Sequence, residues 1–214
     1  MSEVRDFWET CDETFAHIKI DEWLGNYAEL TEKWENQFIT KLNDFFPLNG
    51  SMITEYGCGG SYLGVYLKDK YNVSKYRAMD IADRQLKESK NNLDKLNDLD
   101  YELIRVDNLI DDSNDVFICQ AAIQHFPNQQ YLDSFMERLN KNKYKFCVLQ
   151  IRYSPVTWFS PKDYKGMSVT RMCNTNERYI SKKMDNYEIV WKSGIYKDTD
   201  YQFFIFKNKC GSDF

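Results

Sequence analysis

Residues 52–61 read Met52-Ile53-Thr54-Glu55-Tyr56-Gly57-Cys58-Gly59-Gly60-Ser61. A short strand-forming run leads straight into three glycines, and the helix-like stretch Tyr62–Tyr71 follows at once. Strand, glycine turn and helix in immediate succession open a βαβ unit, and an open parallel sheet keeps its ligand crevice at such a turn. Glycine suits the position because a Cβ would hold a ligand away from the backbone and because the turn demands unusual dihedrals. Taken alone, the cluster is equally well a plain tight turn.

The flanking residues narrow the choice. A dinucleotide fingerprint GxGxxG counted from Gly57 requires glycine at position 62, where Tyr62 stands. A Walker-type phosphate loop requires GK[ST] four residues after its first glycine, and this too is absent. Instead an acid, Glu55, precedes the first glycine by two residues. A carboxylate at the strand end attracts a cationic ligand and repels a pyrophosphate.

Downstream, short apolar runs alternate with amphipathic stretches: Tyr76–Met79, Arg84–Leu96, Leu103–Val106, Val116–Cys119, a helix carrying Leu132, Phe135, Met136 and Leu139, then Phe146–Ile151. This alternation predicts a parallel sheet covered on both faces. Arg178–Met184 reads as a helix, and Tyr187–Lys192 and Tyr201–Lys207 as an antiparallel strand pair. Residues Tyr153 to Glu177 are expected to be a loop. Upstream, Trp23, Tyr27, Leu30, Trp34, Phe38, Leu42 and Phe45 recur every three to four positions, which predicts one long amphipathic helix. That helix either packs on the core or acts as a lid over a pocket.

Length and composition set further bounds. The chain has 214 residues with 43% hydrophobic content, which suits a single domain with a sizeable core, divided into a helical cap over 1–46 and a core over 50–214. Its net charge of −5 is spread along the sequence with no basic stripe, which disfavours nucleic acid as a partner. No membrane span and no signal-peptide pattern are present, so a cytoplasmic protein is expected. The six cysteines form no CxxC pair and only His17 and His125 are available beside them, so they read as reduced thiols and no metal site is expected.

The segment Ile53 to Ser61 resembles motif I of the class I S-adenosylmethionine-dependent methyltransferases, with Ser61 in place of a third glycine. The resemblance implies S-adenosylmethionine as cofactor, with Glu55 contacting its methionine portion and Gly57 and Gly59 passing beneath it. It also implies a Rossmann-like α/β three-layer sandwich, its seven-stranded, mostly parallel sheet ending in an antiparallel strand. Asp80, in Tyr76-Arg77-Ala78-Met79-Asp80-Ile81-Ala82, lies about 25 residues beyond Glu55, close to the spacing at which such folds place a carboxylate on ribose hydroxyls. Asp80, with Ile81 beside it, is therefore the expected ribose-side ligand, although a strand-end acid also serves as a helix N-cap. Asp107 and Asn108, after the third strand, resemble the adenine-side pair.

The segment Asp115 to Asn128 resembles motif IV of the broad branch of the family whose pattern ends in Glu-His or Gln-His. Gln120 and Gln124 are candidate amide ligands of cofactor and substrate. His125 is the candidate general base, since imidazole titrates near neutral pH, and a structural or cofactor-side role is its other reading. Trp34, Arg152, Tyr153 and Trp158 are candidates for the acceptor side, while Arg171 and Arg178 either recognise an anionic acceptor or are simply solvated. Together these segments predict a methyltransferase acting on an O, N or other nucleophile of a small molecule. A protein or RNA acceptor, and a binding module that keeps the cofactor without turnover, are the alternatives.

Overall fold

The computed structural model describes residues 5, 9, 32–106, 113–164, 167–196 and 200–210, and only the backbone within 160–172. Strands β1 (Met52–Tyr56), β2 (Lys75–Asp80), β3 (Asp100–Arg105), β4 (Val116–Cys119), β5 (Phe146–Arg152), β8 (Tyr187–Lys192) and β9 (Tyr201–Asn208) form one seven-stranded sheet. Its order is β3-β2-β1-β4-β5-β9-β8, so the chain starts at the centre, builds outward to β3 and then crosses to the other side. The first five strands are parallel, and β9 runs antiparallel between β5 and β8.

The central strands are near-continuous apolar runs because both faces are covered. All four residues of β4 are buried, as are six of the seven in β5. One face carries α1 (Thr40–Phe45), α2 (Tyr62–Tyr71) and α3 (Asp83–Leu93), whose Leu42, Leu63, Leu67, Leu86 and Leu93 pack on Ile53, Ala78, Val116, Ile118 and Val148. The other carries α4 (Gln129–Lys141) and α5 (Glu177–Lys183), whose Leu132, Phe135, Met136 and Ile180 meet Tyr56, Phe117, Leu149 and Phe204. Each fully buried side chain of this size contributes about 1.5–3 kcal/mol against the entropy of ordering the chain. Two helices start on asparagine caps: Asn128 accepts from the Tyr131 N–H and Asn176 from the Tyr179 N–H, at 2.9 and 3.0 Å.

The sheet is the predicted one, with β1, α2, β4 and β8 at the expected bounds and β3 starting three residues earlier than expected. The expected loop after β5 is corrected: it holds a second, two-stranded antiparallel sheet, β6 (Trp158–Tyr164) with β7 (Met167–Asn174). The helix through Trp34, Phe38 and Leu42 contains a π-helical turn, Glu35–Ile39, between the α-helical residues 32–34 and α1. Its earlier positions Trp23, Tyr27 and Leu30 lie outside the described residues. No helix among the described residues is long and apolar enough to cross a membrane.

Candidate functional site

The carboxyl ends of β1, β2 and β4 meet around the glycine turn. Its backbone is tied to β2, since the N–H groups of Gly57 and Cys58 both donate to the Met79 carbonyl at 2.8 and 3.1 Å. Gly57 has φ +74°, and a Cβ there would lie 2.4 Å from the Ala122 Cβ, so the turn after β4 closes directly onto this glycine. Behind the turn, Asn92 of α3 donates to the Gly60 carbonyl at 2.8 Å, and Ser61 and Ser89 share a short hydrogen bond between buried hydroxyls. Ser61 itself adopts a left-handed conformation, φ 57°, at the position where the motif has glycine.

Two carboxylates line this junction. Asp80 ends β2 and is 8% exposed; one oxygen accepts from the Gly59 N–H and the other from the Ala82 N–H, both at 3.0 Å. Burial pushes its pKa up, while the N–H groups of Ala82, Gly59 and Ile81 hold it down. A carboxylate has about four acceptor sites, so both oxygens keep capacity for ligand hydroxyls. Asp80 does not cap α3: that helix has Ala82 at its N-cap position, and its first N–H groups, Asp83 and Arg84, donate instead to the Glu9 carboxylate at 2.8 and 3.3 Å. Glu55 in β1 is 5% exposed and accepts a hydrogen bond from the Tyr76 hydroxyl. Burial raises its pKa to about 8, with the Asp80 charge adding to the rise and the Tyr76 hydrogen bond opposing it.

Beyond β4 the chain turns sharply. Ala121 is a non-glycine residue at φ 54°, held by its N–H to the Gln150 side chain of β5 at 3.0 Å. Such conformations cost about 1–3 kcal/mol and recur where a site over-determines its backbone. A 3-10 turn, Ile123–His125, follows and carries Gln124 and His125. Gln124 is 5% exposed and its Nε2 lies 3.3 Å from His125 Nε2. The β6–β7 sheet packs against this turn through β7 and roots its Cys173 in the core.

The predicted cofactor residues Glu55, Gly57, Gly59, Asp80 and Ile81 are thus gathered at the carboxyl ends of β1 and β2, with Gln120, Gln124 and His125 after the neighbouring β4. Asp107 and Asn108 lie outside the described residues. Arg152 and Tyr153 stand at the end of β5, where Asp200 faces the Arg152 guanidinium at 3.7 Å and takes the Tyr153 N–H on its carbonyl at 2.7 Å. Trp34 is buried against Tyr66 at a ring separation of 5.7 Å, so the described part of its helix packs on the core. Trp158 is half exposed and donates to Ser154 at 2.9 Å, and Arg178 is exposed to solvent. The side chain of Arg171 lies outside the described ones. Among the described residues no three His, Cys, Asp or Glu side chains gather as metal ligands. Sequence reading missed Tyr76, Ser89, Ala122 and Gln150, which act through contacts between distant segments and leave no local pattern.

A family model described as a methyltransferase domain matches residues 54–145. The fold is that of a magnesium protoporphyrin IX methyltransferase from Synechocystis PCC 6803 solved with S-adenosylhomocysteine, at TM-score 0.67 and 16% identity over 96% of this chain and 98% of that one. It is also that of an S-adenosylmethionine-dependent methyltransferase from Clostridium acetobutylicum, at TM-score 0.65 and 16% identity over 93% and 99% of the two chains. A Burkholderia thailandensis 1,6-didemethyltoxoflavin-N1-methyltransferase matches at TM-score 0.61 and 8% identity, over 91% and 88%. No curated protein sequence matches the chain.

Proposed function

From the premise that this chain carries a class I S-adenosylmethionine-dependent methyltransferase domain, we propose that it methylates a small-molecule acceptor in the cytoplasm as a single domain with a helical cap over 1–46. The observation that carries the reading is the junction of Gly57, Glu55, Asp80 and the Ala121–His125 turn at the strand ends. A glycine turn closed by Ala122, backed by two buried carboxylates, suits a ligand with a cationic amino-acid end and a hydroxyl-bearing sugar. S-adenosylmethionine has both, and when bound it supplies a methyl group already activated on a sulfonium.

The chain's own residues then bind, orient and exclude water. Glu55 faces the ammonium of the methionine portion, and Asp80 and Ile81 hold the ribose side. Gly57 and Gly59 let the cofactor approach the backbone, Asp107 and Asn108 serve the adenine, and Gln120 holds the cofactor from the β4 side. Gln124, Arg152 and Tyr153 position the acceptor. His125 takes the proton that the acceptor nucleophile loses, within the roughly 10²–10⁴-fold that general bases contribute.

A small acceptor is supported by the acidic net charge of −5 and by neighbours of the same fold named as methyltransferases of magnesium protoporphyrin IX and 1,6-didemethyltoxoflavin. The test is incubation with methyl-labelled cofactor and a cell extract, followed by separation of small molecules from macromolecules. Label in the small-molecule fraction is expected, and label confined to protein or RNA would overturn it.

A further inference from the structure

Beneath the glycine turn lies a buried phenol that the proposed mechanism does not use. The Tyr76 hydroxyl donates to Glu55 Oε2. Tyr76 is fully buried. The backbone is shaped around the phenol, because a Cβ on Gly64 of α2 would come within 2.4 Å of the Tyr76 ring. The strand register puts Tyr76 beside Ile53, on the sheet face that also carries Glu55.

We infer that Tyr76 is a positioning residue for Glu55, and that its hydroxyl orients this carboxylate and favours its charged form toward the cationic end of the cofactor. The inference rests on the proposed role of Glu55 at the cofactor. A hydrogen bond donated to the charged form of a buried acid favours that form.

The other groups felt at Glu55 are Asp80 at the end of β2, Cys58 in the glycine turn and Cys119 at the end of β4. Asp80 works against ionisation of Glu55. The two thiols are neutral near pH 7, since burial pushes both up. The Tyr76 hydroxyl is the counterweight.

The test is the pH dependence of S-adenosylmethionine affinity in wild type, Tyr76→Phe and Gly64→Ala. Wild-type affinity is expected to rise with pH as Glu55 ionises, whereas 5′-methylthioadenosine, which lacks the ammonium, shows no such rise. Tyr76→Phe moves the midpoint upward and weakens binding about tenfold near pH 7, the scale of a lost hydrogen bond to a charged group. A purely structural role would lower stability without moving the pH midpoint. Gly64→Ala keeps the phenol but displaces it, and supplies the same measurement if Tyr76→Phe does not fold. Unchanged midpoints in the folded variants would overturn the inference. Absence of binding by wild type would instead overturn the function on which it rests.

Discussion

Ala122 fills the space into which a side chain at Gly57 would project, with 2.4 Å between its Cβ and the one Gly57 lacks. The contact joins the turn after β1 to the turn after β4, so the two turns pack directly on each other. Gly57 also sits at φ +74°, a conformation that side chains disfavour. Gly57→Ala is therefore expected to lose about 2–4 kcal/mol of stability and most cofactor affinity. Denaturant unfolding with and without S-adenosylmethionine checks both.

Glu55 gives stability a pH dependence of definite sign. Its carboxyl titrates near 4.5 when unfolded and about 8 when folded, so the folded state holds a proton that the unfolded state has released. Between those values stability falls as pH rises, and above about 8 the whole penalty is present. Glu55→Gln removes it, so the cofactor-free variant should be more stable than wild type at pH 9 by roughly 3 kcal/mol or more, while binding S-adenosylmethionine far more weakly. Equal melting curves of the two proteins at pH 9 would contradict this.

Glu35 has the opposite sign. Burial pushes its carboxyl up, but hydrogen bonds from Tyr66, Lys70, Tyr71 and Thr40 together bring it down to about 2. The stability this cluster provides is complete above the unfolded value of 4.5 and is lost as pH falls toward 2. Because the cluster ties the π-helical turn to α2, Glu35→Gln should cost about 1–3 kcal/mol at pH 7 and little at pH 2. Urea unfolding at the two pH values measures the difference.

The sheet and the junction of Gly57, Glu55 and Asp80 at its strand ends were legible from sequence because their signals are local. The run Met52–Tyr56, the glycines and the helix Tyr62–Tyr71 are contiguous, and Asp80 ends its strand one residue before a turn. The β6–β7 sheet was not legible. Pro161 interrupts its first strand, which is tolerated because this two-stranded sheet has only edges, and the expected alternation of polar and apolar residues is broken there. Nor does sequence distance announce that Tyr76 meets Glu55 or that Glu9 caps α3 from 74 residues away. Both contacts are made only when the fold is complete.

His125 sits in the 3-10 turn beside the crevice, half buried. If it takes the acceptor's proton, His125→Phe lowers kcat by about 10²-fold and leaves the KM for S-adenosylmethionine unchanged. Steady-state kinetics on the acceptor found in the extract experiment decides the point. A loss below tenfold assigns His125 to structure.

The central claim is that the junction of Gly57, Glu55 and Asp80 holds S-adenosylmethionine. Isothermal titration of the folded wild-type protein with S-adenosylmethionine tests it most directly. One site per chain with a dissociation constant of about 1–100 μM is expected, the range of ordinary enzyme ligands, and Asp80→Asn should weaken it at least tenfold. No detectable heat from protein that melts cooperatively would contradict it.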